Sequence, residues 1–423
     1  MSGTFRIVEH VVPAQHIREY ARATAHSQEE ELQLAVKQYV PLDNPNPQPG
    51  DVTILGAHAN GFPKEMYEAL WEDLHAKSKE KGFRIRGIWI ADVAWQGQSG
   101  LLNGSRLGND PSWFDHARDL LHMVNHFRAS MPRPIVGVGH SFGGNILVNV
   151  SLMHPRLMHS LVLLDPVISR FASTPTGPEA SPAASSYGRR DIWPSREEAV
   201  KSFKKSKFYG SWDHRVLNAW CNFGVKETPT LVYPDKGKNG EVTLTTSKHQ
   251  EIFTFFRPSW PAYDKEGKEI IRPEMAPDMV SAESPQIVYY PFYRPEGALT
   301  YEKLPFVRPS VLYVFGETSE VSPPQLCQQK LDTTGTGVGG SGGAAKGRVK
   351  GVILKGIGHL VAMNVPGVCA DHAADWLDNE MARWRKEEQE WEEWKAKSDR
   401  EKTLLTEEWG EKLGRKKKEE AKL

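Results

Sequence analysis

The chain has 423 residues, of which 39% are hydrophobic, enough for one large domain with an insertion or for two to three average domains. Lys plus Arg and Asp plus Glu balance at 53 each, so the overall charge provides no attraction to nucleic acid or to an anionic membrane. The three cysteines, Cys221, Cys327 and Cys369, lie far apart, which argues against a disulfide framework or a zinc site. No apolar run approaches the ~18 residues of a membrane-spanning helix, so none is predicted.

The first part of the chain alternates strand patterns with helical patterns. Strands are predicted at Phe5–Val12, Leu32–Val40, Asp51–His58, Phe83–Asp92, Pro134–Gly139 and His159–Asp165. Helical patterns lie near residues 64–81, 112–131 and 145–153. Strands separated by helices of this length predict an α/β fold with a mostly parallel sheet and helices on both faces.

This alternation stops near Ile168 and resumes after residue 305. Residues 168–305 are irregular and rich in proline and aromatic residues, whereas Pro309–Gly316 and Val349–His359 again have strand patterns. We therefore predict one core in two parts, 1–167 and 306–378, with 168–305 as a cap over the carboxyl ends of the strands. The glycine-rich stretch 333–345 lacks the spacing of a phosphate-binding loop and is predicted to be a flexible surface loop.

Residues 379–423 form a highly charged segment with tryptophans near helical spacing. This pattern predicts an amphipathic helical tail that packs on the domain or on a partner. A helix lying on a membrane surface is the alternative, and the acidic residues of its polar face weigh against it.

The segment Gly139-His-Ser141-Phe-Gly143 lies between an apolar strand pattern and a helical one. In this context a G-x-S-x-G motif places its serine on a sharp turn with the hydroxyl exposed. Ser141 is therefore the predicted nucleophile, and a buried serine in an ordinary strand-to-helix loop is the alternative.

A serine hydroxyl needs a base within hydrogen-bond reach, and the base needs a carboxylate to orient it. We predict His359 as the base because it follows a strand in Gly356-Ile-Gly-His359. In enzymes with such an elbow the acid lies between the serine and the histidine in the chain. Asp165, at the end of a strand, is the favoured acid, and Glu317 and Glu320, after a later strand, are the alternatives.

An oxyanion hole needs two N–H groups aimed at the developing negative charge. We predict that Phe142, directly after the nucleophile, provides one and that Asn60, in the loop after the third strand, provides the other, with Ala59 as the alternative. His58 and His140 are interpreted as groups that support their turns. No H-E-x-x-H motif, EF-hand loop or Cys/His cluster is present, so neither a metal nor a cofactor is predicted.

Together, the H-x-N-G loop, the G-H-S-F-G-G elbow and the late G-x-G-H resemble the α/β-hydrolase superfamily over about 1–167 and 306–378. That superfamily usually has G-x-x-D after the later strand, but Ser319 occupies the aspartate's position here. The acid at Asp165, the long cap, the Trp-rich tail and the final Ala421-Lys422-Leu423 resemble the fungal peroxisomal acyl-CoA hydrolases of secondary-metabolite pathways. That family includes the hydrolase of the mycophenolic acid pathway and the host-selective-toxin hydrolases.

The resemblance implies a Ser141, Asp165 and His359 triad that cleaves a polyketide or fatty-acyl CoA thioester through an acyl-enzyme. A carboxylester hydrolase or lipase, a C–C bond hydrolase, and a non-catalytic binding protein of the same fold are the alternatives. Basic cap residues are candidates for contacts with CoA phosphates, although most fit a solvated helix face: Arg189, Arg190, Arg196, Lys201, Lys204, Lys205 and Lys207.

The tripeptide Ala421-Lys422-Leu423 is a variant of the Ser-Lys-Leu address, so we expect recognition by the peroxisomal import receptor and a peroxisomal location, with the cytoplasm as the alternative. The expected ligand is a small acyl-CoA or ester, with no nucleic acid. The sequence leaves a homo-oligomer open.

Overall fold

The structure is a computed structural model that describes residues 3–172, 181–237, 239–279 and 289–414. Its first part supplies six strands: β1 Phe5–Pro13, β2 Gln33–Pro41, β3 Val52–Ala57, β4 Ile85–Ala91, β5 Ile135–His140 and β6 Ser160–Leu164. Four helices lie between them: α1 Glu68–Ser78, α2 Gly97–Asn103, α3 Trp113–His126 and α4 Phe142–Met153. Both ends of each strand lie within two residues of the ends of a predicted strand.

The segment predicted to be the cap contains short elements. In chain order these are α5 Pro182–Gly188, β7 Ile192–Trp193, α6 Arg196–Lys205, α7 Lys207–Gly210, α8 His214–Phe223, β8 Val225–Glu227, β9 Val242–Leu244, α9 Lys248–Phe255, β10 Arg257–Pro258, β11 Phe292–Tyr293 and α10 Glu296–Lys303. In the described residues, strands β7 to β11 form a three-stranded and a two-stranded sheet of their own.

The last part returns to longer elements. These are β12 Ser310–Gly316, α11 Pro324–Thr333, β13 Val349–Leu354, α12 Val361–Asn364, α13 Pro366–Lys395, α14 Asp399–Thr403 and α15 Glu407–Lys412. By internal contacts the chain divides into two compact units, Met1–Glu380 and Met381–Leu423. In the second unit, Trp391 and Trp394 stack with their ring centroids 4.7 Å apart.

The main sheet has eight strands in the order β1-β2-β4-β3-β5-β6-β12-β13. The β1–β2 and β2–β4 pairs are antiparallel, and all the others are parallel. Every residue of β3, β5, β6 and β12 is buried, as expected for parallel strands covered on both faces. The predicted α/β-hydrolase fold with a mostly parallel sheet is confirmed.

This topology determines where chemistry can occur. Parallel strands end at one edge of the sheet, so the residues that follow them come together there. The loop after β3, Ser141 after β5, Asp165 after β6 and His359 beyond β13 all lie at strand ends of this kind.

Candidate active site

Ser141 is the single residue between β5 and α4, and its backbone has φ 58° and ψ −122°. A left-handed φ is unusual for a residue with a side chain and marks a strained turn. The flanking glycines allow three backbones to meet at this turn. A Cβ on Gly139 would lie 2.7 Å from the Gly143 carbonyl oxygen, and one on Gly143 would lie 2.3 Å from the Ala57 carbonyl oxygen.

The structure brings the predicted base to the predicted nucleophile. The His359 Nε2 atom lies 2.8 Å from Ser141 Oγ, and its Nδ1 atom lies 2.6 Å from Asp165 Oδ2. A carboxylate can only accept, so Nδ1 carries a proton and donates it to Asp165. In the neutral ring Nε2 is then an acceptor for the serine hydroxyl, which is the arrangement that activates a serine.

Asp165 is fully buried and follows β6 with φ 44°. Its Oδ1 accepts from the Gly316 N–H at 3.2 Å, and its Oδ2 accepts from Ser319 Oγ as well as from His359. Burial alone would raise the pKa of this carboxyl group, but the hydrogen bonds from His359 and Ser319 and the His359 charge outweigh burial and lower it. Asp165 is therefore a carboxylate at neutral pH.

The two alternative acids are not part of the line of hydrogen bonds from Asp165 through His359 to Ser141, although Glu320 is one of the residues around the cavity that contains Ser141 and His359. Glu317 Oε2 accepts from the Gly356 N–H at 2.8 Å, and Glu320 is exposed. Neither carboxylate is hydrogen-bonded to His359 among the described residues. Ser319, at the position where the superfamily has its aspartate, instead donates to Asp165.

Sequence reasoning missed Lys330, whose ammonium lies beneath the turn that carries Asp165. It is fully buried in α11, and Nζ donates to the Pro166 carbonyl oxygen at 2.9 Å. Burial lowers the Lys330 pKa to about 8, although Asp165 opposes this shift. The sequence signal was weak because a lysine in a polar helix usually faces solvent.

The two predicted oxyanion donors lie at the turns after β3 and β5. Phe142 is the first residue of α4, so its N–H has no acceptor within the helix. The Asn60 side chain is held at both ends, since Oδ1 accepts from Gln96 and Nδ2 donates to the Glu251 carbonyl. Its backbone N–H has no acceptor among the described residues. The N–H of Ala59, the alternative, donates to Tyr67 Oη at 2.7 Å.

A cavity of about 570 Å³ contains Ser141 and His359. Aromatic side chains supply much of its wall, including Phe62, Phe208, Tyr209, Trp220 and Phe255. The same cavity has a polar group of three residues from the predicted cap: Ser186, Arg189 and Glu251. Within that group, Glu251 accepts from Ser186 Oγ at 2.6 Å and forms an ion pair with Arg189.

Four of the other basic candidates lie on α6. A shallow depression beside α6 is lined by Arg196, Lys201, Lys204 and Lys205. Arg196 pairs with Glu227, and Lys201 with Glu198 on its own helix. A role for these residues in binding CoA phosphates stays a prediction.

Within the described residues there is no cluster of three or more His, Cys, Asp or Glu side chains able to hold a metal ion. No helix in the same residues is both long and apolar enough to cross a membrane. The predicted targeting residues Ala421, Lys422 and Leu423 lie outside the described part of the chain.

The family model for the alpha/beta hydrolase family matches residues 54–373. The chain belongs to this family. The match includes every residue of the predicted triad and oxyanion hole, and the prediction that the chain is a hydrolase is confirmed at the level of the family.

Relatives extend the similarity over nearly the whole chain. A type I acyl-CoA thioesterase of Penicillium roqueforti is 40% identical over 418 residues, which cover 94% of this chain and 93% of that protein. An abhydrolase domain-containing protein of Alternaria alternata is 28% identical, over 59% of this chain and 85% of that protein. Both agree with the family resemblance identified from the sequence.

Among solved structures, the peroxisomal alpha-beta-hydrolase Lpx1 of Saccharomyces cerevisiae superposes with a TM-score of 0.69. It is 17% identical and covers 96% of this chain and 100% of its own. E-2-(Acetamidomethylene)succinate hydrolase superposes with a TM-score of 0.52 at 14% identity, covering 87% of this chain and 100% of its own. At these identities the two structures support the fold.

Proposed function

We propose that the chain is a serine hydrolase that cleaves an acyl-CoA thioester through the Ser141, His359 and Asp165 triad. The observation that carries the proposal is the unbroken line of hydrogen bonds from Ser141 Oγ through both nitrogens of His359 to the buried Asp165 carboxylate. The substrate class comes from the acyl-CoA thioesterase of P. roqueforti, which matches almost the full length of the chain.

In the first half of the proposed reaction, Ser141 Oγ attacks the thioester carbonyl carbon while His359 Nε2 takes the hydroxyl proton. Asp165 stabilises the imidazolium that forms. The carbonyl oxygen becomes an oxyanion, held by the N–H groups of Phe142 and Asn60. Collapse of this intermediate breaks the C–S bond, and His359 returns the proton to sulfur, so the free thiol of CoA leaves.

In the second half, water replaces the thiol. His359 takes a proton from the water as its oxygen attacks the acyl-enzyme carbonyl, and the same two N–H groups hold the second oxyanion. The ester bond to Ser141 then breaks, and the proton on Nε2 returns to the serine oxygen. The sum is acyl-CoA plus water giving a carboxylic acid plus CoA thiol, with no redox step.

The cavity supports an acyl group with at least one ring. A volume of about 570 Å³ lies within the ~300–1,000 Å³ range of small-molecule sites, and flat aromatic walls favour flat apolar ligands. Arg189 bonds to Glu251 through one terminal nitrogen, Nη2, and its side chain is 29% exposed. We therefore propose that the acyl group also carries an oxygen acceptor that meets Arg189.

The cellular location is part of the proposal. We propose that Ala421-Lys422-Leu423 directs the protein to the peroxisome through the import receptor. Such a tripeptide works only at a free carboxyl terminus. A fluorescent protein fused in front of residues 379–423 should collect in peroxisomes of a fungal cell, and deletion of the last three residues should leave it in the cytoplasm. Cytoplasmic signal from both fusions would refute the location.

The function is tested by measuring thiol release from a panel of arylalkanoyl-CoA and fatty-acyl-CoA thioesters. Wild type should turn over several of them, and Ser141→Ala should be slower by about 10⁴-fold or more. The p-nitrophenyl esters of the same acids form the second arm. Faster cleavage of the esters than of the thioesters, compared as kcat/KM, would favour an ester hydrolase.

Arg189→Met tests the acyl group, because methionine keeps an unbranched apolar stem and removes the guanidinium donors. It should lower kcat/KM by about tenfold or more for a ring that carries a hydroxyl or carbonyl group, since a charged donor is lost. It should change kcat/KM by less than about threefold for the unsubstituted ring. Equal losses on both substrates would mean that Arg189 does not contact the acyl group.

A further inference from the structure

A chain of three hydrogen bonds connects two loops of the candidate active site from behind. The Ala59 N–H lies 2.7 Å from Tyr67 Oη, Tyr67 Oη lies 2.9 Å from His140 Nδ1, and His140 Nε2 lies 3.0 Å from the carbonyl oxygen of His359. Ala59 directly precedes the candidate oxyanion donor Asn60. The same imidazole therefore touches the backbone of the candidate base and, through one hydroxyl, the oxyanion loop.

Elementary donor and acceptor rules assign every proton in these three hydrogen bonds. The Ala59 N–H can only donate, so Tyr67 Oη accepts from it. The His359 carbonyl can only accept, so His140 Nε2 carries a proton and donates it. His140 Nδ1 is then an acceptor in the neutral ring, and the one proton of Tyr67 is available for it. If His140 were doubly protonated, the Tyr67 proton would have no acceptor among these three hydrogen bonds.

A second buried histidine holds the other side of the same loop. The Val93 N–H donates to His58 Nε2 at 3.0 Å, so His58 Nδ1 carries the proton and donates to the Ala59 carbonyl at 2.8 Å. That carbonyl shares a trans peptide unit with the Asn60 N–H, and in such a unit the C=O and N–H bonds point in opposite directions. Anchoring the carbonyl therefore fixes the direction of the Asn60 N–H.

Tyr67 and His140 are both buried, at 2% and 0% exposure, and neither is among the described residues that line the cavity. Burial disfavours the charged form of His140 and lowers its pKa to about 3, which agrees with the neutral ring that the hydrogen bonds require. Neither side chain reaches a substrate. Their hydrogen bonds reach the candidate site through the backbones of Ala59 and His359, and the His140 ring also lies beside the His359 ring, with centroids 5.4 Å apart.

We propose that Tyr67 and His140 are positioning residues that keep the loop containing Ala59 and Asn60 at a fixed separation from the loop containing His359. Their side chains and His58 hold the Asn60 N–H in the direction in which it donates to the oxyanion. The inference rests on the proposed serine hydrolase chemistry and adds to it a device for pre-organising the oxyanion hole. Pre-organised donors stabilise the transition state more than the bound substrate.

The first test is Tyr67→Phe, which removes only the hydroxyl and leaves the Ala59 N–H without its acceptor. We expect kcat to fall by about 10- to 100-fold, less than the ~100- to 1,000-fold cost of deleting an oxyanion donor, with KM within about threefold. Affinity for a trifluoromethyl ketone analogue of the thioester, which forms the tetrahedral adduct, should fall by the same factor as kcat. Affinity for the uncleavable thioether, which mimics the ground state, should stay within about threefold.

Two substitutions of His140 separate the ends of the chain. An asparagine amide reproduces Nδ1 and keeps the bond to Tyr67, whereas a glutamine amide reproduces Nε2 and keeps the bond to His359. If the three hydrogen bonds act together, the double variant Tyr67→Phe/His140→Gln should lose little more kcat than either single variant. Each single change already breaks the hydrogen bond between Tyr67 and His140. Additive losses in kcat would overturn the proposal.

The matched control is Tyr313→Phe. Tyr313 is also buried, and its hydroxyl lies 2.8 Å from Thr334 Oγ1, so this change likewise removes a buried, hydrogen-bonded hydroxyl. Its kcat should stay within about threefold of wild type. Should Tyr67→Phe fail to fold, as shown by its thermal melt, His140→Asn and His140→Gln provide the same comparison.

A measurement that needs no acyl-CoA substrate separates this inference from the proposed function. Fluorophosphonate labelling of Ser141 also builds negative charge on an oxygen, so its rate should fall in Tyr67→Phe by about as much as kcat. If wild type is labelled but cleaves no acyl-CoA, the substrate proposal fails while the labelling rates still test the positioning residues. Labelling of Tyr67→Phe and both His140 variants at the wild-type rate would overturn the inference.

Discussion

Replacing Asp165 by asparagine should disable His359 by reversing its tautomer. The Gly316 N–H can only donate, so the asparagine amide places its oxygen toward Gly316 and its NH₂ group toward His359 Nδ1. His359 Nδ1 must then accept, and the ring proton moves to Nε2. A protonated Nε2 cannot take the proton of Ser141.

The expected loss is large because, among the residues that the structure describes, Asp165 is the carboxylate hydrogen-bonded to His359 and no second one replaces it. In serine proteases the same change costs about 10⁴-fold in kcat through the wrong tautomer, and that factor corresponds to about 5.4 kcal/mol of transition-state stabilisation. The geometry here has the same elements, a buried acceptor 2.6 Å from Nδ1 and a second donor that fixes the amide orientation. We therefore expect a loss of about 10⁴-fold at neutral pH.

The assay is thiol release from the best acyl-CoA substrate, with Glu317→Gln as the matched control. Glu317 accepts from the exposed Gly356 loop, so its kcat should remain within about threefold of wild type. A loss of less than tenfold in Asp165→Asn, or an equal loss in Glu317→Gln, would show that Asp165 is not the acid.

Three further predictions concern folding and pH. Gly143→Ala should abolish fluorophosphonate labelling and lower the melting temperature, because its Cβ would lie 2.3 Å from the Ala57 carbonyl oxygen. Acid should destabilise the protein through His58 and His140, whose pKa values fall to about 4 and about 3 because both rings are buried. The unfolded chain binds those protons from about pH 6.5 downward, so each histidine should cost about 2 kcal/mol at pH 5, measured by denaturant unfolding. Between pH 8 and 10.5 Lys330 keeps its proton only in the unfolded chain, so the free energy of unfolding of wild type should rise by up to about 3 kcal/mol over this range. Lys330→Met should lack this rise.

Each of these predictions has an outcome that would contradict it. Normal labelling of Gly143→Ala would mean that the backbones can separate without loss of the turn. If the free energy of unfolding of His140→Asn falls with decreasing pH as steeply as that of wild type, the acid sensitivity belongs to other groups. A parallel pH dependence of wild type and Lys330→Met would show that Lys330 keeps an ordinary pKa.

The parallel sheet and the triad could be predicted because both depend on local patterns. Continuous apolar runs mark strands buried on both faces, such as β5 and β12, and the chain order of the strands places their ends at one edge. Ser141 and His359 have neighbouring glycines that mark their turns. Asp165 is predictable because it ends a strand at the same edge of the sheet.

The groups behind the triad could not be predicted because their roles depend on contacts between distant parts of the chain. Tyr67 lies in a helical pattern where an aromatic residue usually only packs, and Lys330 lies in a helix where a lysine usually faces solvent. The Arg189–Glu251 pair joins residues that are far apart in an irregular segment without a repeating pattern. Ser319 was identified only as a departure from the expected aspartate, and its bond to Asp165 required the fold.

In the proposed reaction Ser141 carries the acyl group. The most direct test is rapid acid quenching of enzyme mixed with acyl-CoA, followed by mass measurement of the peptide that contains Ser141. We expect an added acyl mass on Ser141 in wild type, with one CoA thiol released per acylated enzyme, and no added mass in Ser141→Ala. Thiol release by Ser141→Ala at the wild-type rate, or acylation of another residue in wild type, would contradict it.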